Sequence, residues 1–206
     1  MDSVTMLYDY KDEIGLAVSF DYGSNHNNRE IHFAKLHCQR LGIRHEVVDL
    51  EFFKKHFRSS LLEGADAIPE GRYDEENMKS TVVPFRNGIM LSIAAGMANS
   101  AGLTQVMIAN HGGDHAIYPD CREGFIRDIN AAISSGTDGE VTVFAPYTGI
   151  TKSDIARKGG ALGIDYAETW SCYKGGEKHC GVCGTCQERK EAMAEAGLVD
   201  NTEYEQ

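Results

Sequence analysis

IGLAVSFDYGSNHNNREIHFAKLHCQRLG, residues 14–42, changes its period partway along. The first part, 14–23, is β-rich and ends at Gly23, the composition of a buried strand. From His26 onward, Ile31, Ala34, Leu36, Cys38 and Leu41 fall on one broad helical face closed by Gly42. A strand running straight into a helix is the opening of a βαβ unit, and the pattern recurs downstream. RHEVVDL (44–50) reads as a strand, 51–57 as a short helix and 88–102 as a helix of small residues. QVMIAN (105–110) is a strand, 121–134 a helix, VTVFAP a strand, and TKSDIARKGGALG a helix opened by a Thr151 to Asp154 capping box. Upstream, Val4, Leu7 and Tyr8 sit at helical spacing, so 3–12 is expected to be a helix beginning at or before Met1. This alternation predicts an α/β fold, a Rossmann-like parallel sheet with helices on both faces.

The α/β nucleotide-binding body is expected to span 1–165, followed by a small segment, 166–206, with four cysteines, a helix near 186–196 and a solvated acidic tail, VDNTEYEQ. Residues 61–80 are polar, acidic and too long for an ordinary connection, which predicts a lid or a disordered loop.

Composition narrows the function. With 206 residues, 42% hydrophobic and 25% charged, the chain can bury a core unaided. Its 20 Lys and Arg against 31 Asp and Glu give −11, which argues against gripping a nucleic-acid backbone and favours a small substrate. No apolar run is long enough to span a bilayer, and MDSVTMLYDYKDE has neither the basic nor the apolar region of a signal peptide. We therefore expect a cytoplasmic protein, in which clustered thiols point to metal or redox chemistry before disulfides.

Cys172, Cys180, Cys183 and Cys186 are spaced C-x7-C-x2-C-x2-C, with Gly181 and Gly184 inside the turns. Such turns aim backbone amides at thiolate sulfurs, as in a rubredoxin-like site. Four thiolates leave no open position, so the expected role is structural zinc, with an iron–sulfur cluster or a redox arrangement as alternatives. The site's charge of about −2 is expected to be offset by Lys174, Lys178, Arg189 and Lys190, with His179 an exposed loop residue. Cys38 reads as core.

Four other places carry chemistry-bearing residues. Asp2 and Ser3 open a helix, where amides and the positive helix end favour phosphate, although both are also ordinary caps. Arg86 and Asn87 precede an apolar helix and suit an anionic or amide-bearing ligand, or a plain cap. NHGGDHAIYPDCR (110–122) follows a strand and concentrates Asp114, His115, Tyr118, Asp120, Cys121 and Arg122 where open α/β sheets bind ligands. Lys152, at the start of a helix, is either a surface lysine or a phosphate partner.

Taken in order, MDS, SFDYG, VPFRN, YPDCR, TKSDI and WSCYKG…HCGVCGTCQER resemble the 7-cyano-7-deazaguanine synthases, the QueC family of PP-loop ATP pyrophosphatase-like ligases, over nearly the whole chain. The resemblance implies an enzyme using ATP and Mg2+, with structural zinc, generally a homodimer, that converts 7-carboxy-7-deazaguanine and ammonia to the nitrile through an acyl adenylate and an amide. It implies that Asp2 and Ser3 end a pyrophosphate loop, that Phe20, Asp21 and Tyr22 begin an adenine-side turn, and that Lys152 faces phosphate. Arg86 and Asn87 would hold substrate or nucleotide, and Asp114, Tyr118, Asp120 and Arg122 would line the deazaguanine pocket. Cys121 receives no nucleophilic role, because an adenylate route needs none.

Phe85 stands where the family more often has a small residue, and HGGDHAI differs from the family's residues ahead of YPDC. The family's first strand and its SGG are not present ahead of Asp2. That strand sits mid-sheet, so we expect a sequence incomplete at its N-terminus. The rivals to the ligase are another PP-loop enzyme, such as a sulfur transferase or amidating ligase, and a catalytically impaired nucleotide-binding protein.

Overall fold

The computed structural model describes residues 1–72 and 75–205, with the backbone alone for Glu75, Asn77 and His115. These residues form two compact units, one joining Met1–Pro84 to Lys152–Gln206 and the other Phe85–Thr151. The first begins with α1 (Asp2–Asp9), β1 (Leu16–Asp21), α2 (Asn27–Leu41), β2 (Arg44–Asp49) and α3 (Phe52–His56). β1 and β2 are parallel, in register from Leu16 opposite Arg44 to Asp21 opposite Asp49, with α2 as the crossover. Asn27 staples strand to helix: its Oδ1 accepts from the Ser24 amide and hydroxyl, both at 2.9 Å, and its Nδ2 donates to the Phe20 carbonyl at 2.7 Å. Gly42 ends α2 at φ 69°, a left-handed conformation that costs glycine nothing.

The 61–80 expectation is corrected for the described residues; Tyr73 and Asp74 lie outside them. Leu61, Leu62 and Met78 are buried, Met78 closing the short helix α4 (Glu75–Met78). Ile68 packs against the four cysteines and the Gly71 amide donates to the Val182 carbonyl at 2.9 Å. The apolar anchors hold the polar stretch in place, so the described residues are packed and do not form a disordered loop.

The second unit contains α5 (Arg86–Ser100), β3 (Gln105–Met107), α6 (Glu123–Gly136) and β4 (Thr142–Phe144). β3 and β4 are parallel, Gln105 opposite Thr142. The core is Leu91, Ala95 and Ala98 of α5 with Val106, Ile133 and Val141; the small residues of α5 let it lie close on β3. The parallel pairing predicted from the alternating pattern thus occurs as two two-stranded sheets, one in each unit.

The first unit resumes with α7 (Lys152–Ala161) and α8 (Gly184–Ala196). α1, α7 and α8 meet around Val4, Ala156, Ile164, Tyr166, Ala192 and Met193. The Tyr166 hydroxyl lies so close over Gly159 that a β-carbon there would collide with it. No helix among the described residues is long and apolar enough to cross a membrane.

Candidate metal centre and active-site residues

The sulfurs of Cys172, Cys180, Cys183 and Cys186 all lie within 4.8 Å of one another, and all four residues are buried. A tetrahedral ion with metal–sulfur bonds of about 2.3 Å needs sulfur–sulfur edges of about 3.8 Å, close to the 4.0 Å between Cys180 and Cys186. The amide of Cys183 donates to the Cys180 sulfur at 3.3 Å, the turn geometry expected from a two-residue gap, and the amide of Cys180 donates across the longer loop to the Cys172 sulfur, also at 3.3 Å. The four sulfurs are close enough for their titrations to be linked: hydrogen bonds from Cys172 and Cys186 pull the Cys183 thiol down, and without a cation that charge pushes its neighbours up. Four thiolates in this space need a cation, and the donor set fits a metal ion with no coordination position left over.

Trp170, Phe33, Ile68, Tyr173, Val182 and Tyr204 wall the cluster, and Trp170 Nε1 donates to the Cys172 carbonyl at 2.7 Å. Gly175 at φ 69° brings the cysteine loop against the Asn25 carbonyl, where a β-carbon would clash. Three expectations are corrected here. His179 is 3% exposed, not a surface residue. Its ring centroid lies 4.1 Å from that of Trp170 with the planes tilted by 38°, its Nε2 accepts from the Ser171 amide at 3.1 Å, and burial drives its pKa down to about 3. It is a neutral wall of the site, outside the sulfur set.

The tail is not merely solvated. The His179 amide donates to the Glu203 carbonyl and the Glu205 amide to the His179 carbonyl, adding a bridge beside the cluster. Nor do the four cations simply offset the sulfurs. Lys174 pairs with Glu70 at 2.5 Å, Lys178 with Glu203 at 3.1 Å, and Lys190 Nζ donates to the Gly181 carbonyl at 3.0 Å. Arg189, fully buried, donates to Thr169 Oγ1, Ser171 Oγ, Thr202 Oγ1 and the Tyr166 carbonyl and pairs with Asp200 at 3.4 Å. For Asp200, burial works upward, but Arg189 and the Thr202 and Tyr204 donors outweigh it and leave the carboxyl below its usual value. Arg189→Met strands that carboxylate and four acceptors, and is expected to cost about 3–5 kcal/mol, read as a lowered urea midpoint; an unchanged midpoint would refute the clamp.

Lys152 and Asp2 come together. Each opens its helix, α7 and α1, and Lys152 Nζ lies 3.4 Å from Asp2 Oδ2 and 2.7 Å from Glu188 Oε2, with all three side chains largely buried. Lys152 thus shares its charge between two carboxylates, and it and Asp2 stand at the starts of two helices, where unpaired amides carry partial positive charge. Glu188 is not distinguished in the sequence. It is placed by α8, whose first turn holds Cys186, so the sulfur cluster orients the helix that brings it to Lys152. Ser3 is exposed. Phe20 is half-buried on β1, Asp21 Oδ1 accepts from the Gly23 amide at 3.1 Å, and Tyr22 is buried edge-on to Phe53.

In the second unit, Asp120 Oδ2 accepts from the Asn87 amide at 2.8 Å, supplying the acceptor that the first turn of α5 lacks from its own cap residue, Phe85. Asn87 Nδ2 donates to the Asp120 carbonyl at 3.1 Å and the Cys121 sulfur at 3.2 Å. Burial, then Asp114 and Asp120, push the Cys121 thiol far above its usual range. Asp114 Oδ2 accepts from the His111 amide at 3.3 Å, Tyr118 is buried, Arg86 is half-buried and Arg122 is exposed. Sequence reasoning passed over Asn110 and His111, both buried behind this loop; a polar pair at the end of a predicted strand was the available signal.

The model of the family described as "Queuosine biosynthesis protein QueC" matches residues 1–197. A 7-cyano-7-deazaguanine synthase of Porphyromonas gingivalis is 64% identical over 205 residues, 100% of this chain and 93% of that one. Proteins of the same name from Desulfotalea psychrophila and Methanoregula boonei are 50% and 47% identical, over 99% and 100% of this chain and 94% and 95% of theirs.

Proposed function

The chain belongs to the family of queuosine biosynthesis protein QueC, and from that membership we infer that it is an ATP-dependent ligase making 7-cyano-7-deazaguanine from 7-carboxy-7-deazaguanine and ammonia. The end-to-end likeness to proteins bearing that synthase's name carries the reading.

The chemical difficulty is the leaving group. Oxide leaves a carboxylate poorly, so the carboxylate oxygen attacks the α-phosphorus of ATP, releasing pyrophosphate and forming an acyl adenylate. Ammonia then displaces AMP to give the amide. Activation of the amide oxygen by ATP and loss of two N–H protons, with a second AMP departing, leaves the nitrile. The protein's work is to orient ATP against the base and to neutralise charge on phosphate.

In this reading Lys152, Asp2 and Ser3 serve the phosphates and their Mg2+, and Phe20, Asp21 and Tyr22 the adenine side. Arg86 and Asn87 hold the reacting end, and Asp114, Tyr118, Asp120 and Arg122 the deazaguanine ring. What supports the first assignment is the meeting of Lys152 with Asp2 at two helix starts. The metal is zinc, held by Cys172, Cys180, Cys183 and Cys186; it supplies folding energy and no reactive position. The enzyme is a cytoplasmic homodimer.

Incubation of the purified chain with ATP, Mg2+, heavy-nitrogen ammonium and oxygen-labelled 7-carboxy-7-deazaguanine is expected to give labelled nitrile, with the carboxylate oxygen in AMP. Amide as the only product would make the chain an amidating ligase, and ATP binding without AMP formation an impaired one.

A further inference from the structure

We propose that the side-chain oxygen of Asn110 is the acceptor for a neutral N–H group of one of the enzyme's reactants. Asn110 is 4% exposed and lies just past the end of β3, the edge at which open α/β sheets take their ligands. Both hydrogens of its amide nitrogen are committed, to the Cys121 carbonyl at 2.8 Å and to Thr148 Oγ1 at 3.1 Å. Thr148 in turn donates its own proton to the Ala145 carbonyl at 3.1 Å, so toward Asn110 it can only accept.

These bonds fix the orientation of the amide: turned over, it would set oxygen against the Cys121 carbonyl oxygen. Asn110 Oδ1 therefore faces the other way, and it has no hydrogen-bond partner among the described residues. A buried acceptor without a donor is costly, and most such atoms in folded proteins are satisfied. Asn110 thus ties the loops around Cys121 and Thr148 to the end of β3 and leaves one oriented, buried oxygen without a donor among the described residues.

An uncharged amide oxygen needs a donor hydrogen and repels carboxylate and phosphate oxygens, and the donor group that every reactant carries is N–H. On the proposed reaction, which this inference rests on, three reactants carry one: the amino and lactam groups of the deazapurine, ammonia, and the adenine amino group of ATP. A site whose buried acceptor is matched by substrate discriminates strongly against an analogue lacking the donor.

The test is the steady-state KM of the full chain for each of the three reactants in Asn110→Leu and Asn110→Ser, with Thr148→Val as control. Thr148→Val removes a partner of the amide nitrogen and leaves the oxygen in place. At least a tenfold rise in KM for one reactant is expected in whichever Asn110 variant is folded by circular dichroism, with the other two KM values within threefold, and the affected reactant is the donor. Thr148→Val is expected to lower the thermal midpoint with all three KM values within threefold. All three KM values within threefold in a folded Asn110 variant would overturn the proposal, since water alone would then satisfy the oxygen. An equal KM rise in Thr148→Val would also overturn it, since the effect would be one of loop packing. A wild-type chain that makes no nitrile rejects the proposed function; an active wild type with unaffected variants rejects only the role of Asn110.

Discussion

Cys183→Ser is expected to lose the bound metal and most of the stability of the first unit together. Cys183 caps α8, receives hydrogen bonds from two neighbouring thiols, and its backbone forms a bridge with Glu70. Structural zinc contributes about 10–16 kcal/mol where it drives folding, comparable to the whole stability of a typical domain, about 5–15 kcal/mol. Even a loss of about 5 kcal/mol lowers the midpoint of a chain this size by about 10–20 °C. Metal analysis should find one ion per wild-type chain and well under one in the variant, with a matching fall in the thermal transition. The turnover of whatever fraction stays folded should be little changed, because four sulfur ligands leave no coordination position for substrate. A wild-type protein that keeps its metal-free fold and midpoint after exhaustive chelation would show that the cluster is not a metal scaffold.

The strand-to-helix alternation around residues 14–42 was legible because period carries it. A β-rich run and a 3.6-residue face are local properties, and both appear where expected, with Gly42 closing the helix. The four cysteines were legible for a similar reason, since their short spacings allow few geometries. What was missed depends on contacts distant in sequence. The tail VDNTEYEQ reads as solvated by composition, yet Arg189 and His179 capture it, and neither residue signals this locally. His179 reads as exposed because its neighbours are polar; Trp170 and Tyr204, on either side of it in space, bury it. The disordered loop offered as one reading of residues 61–80 came from a stretch of Gly and acidic residues that outweighed Ile68 and Met78, whose packing needs the cysteine segment and the core as partners. Asp2 and Lys152 could be singled out from their helix starts, while Glu188, which pairs with Lys152, was invisible without the packing of α8.

Glu188 makes the proposed phosphate role of Lys152 separable by experiment from a structural one. Lys152→Met is expected to lower kcat by about 100- to 1,000-fold, the loss typical when one group stabilising transition-state charge is removed. It should also lower stability, because Asp2 and Glu188 then lose the ammonium between them while both stay largely buried. Activity and stability falling together would leave catalysis and folding confounded. The double variant Lys152→Met with Glu188→Gln resolves them. Removing the Glu188 charge relieves the repulsion, so the urea midpoint should recover most of its loss, yet phosphate still lacks the Lys152 ammonium and kcat should stay as low as in the single variant. Glu188→Gln alone leaves Lys152 in place with Asp2 as its remaining carboxylate, and should retain the greater part of wild-type turnover. If the double variant regains activity in step with its midpoint, Lys152 acts only as the structural tie between α1, α7 and α8, and its place at the phosphates is wrong.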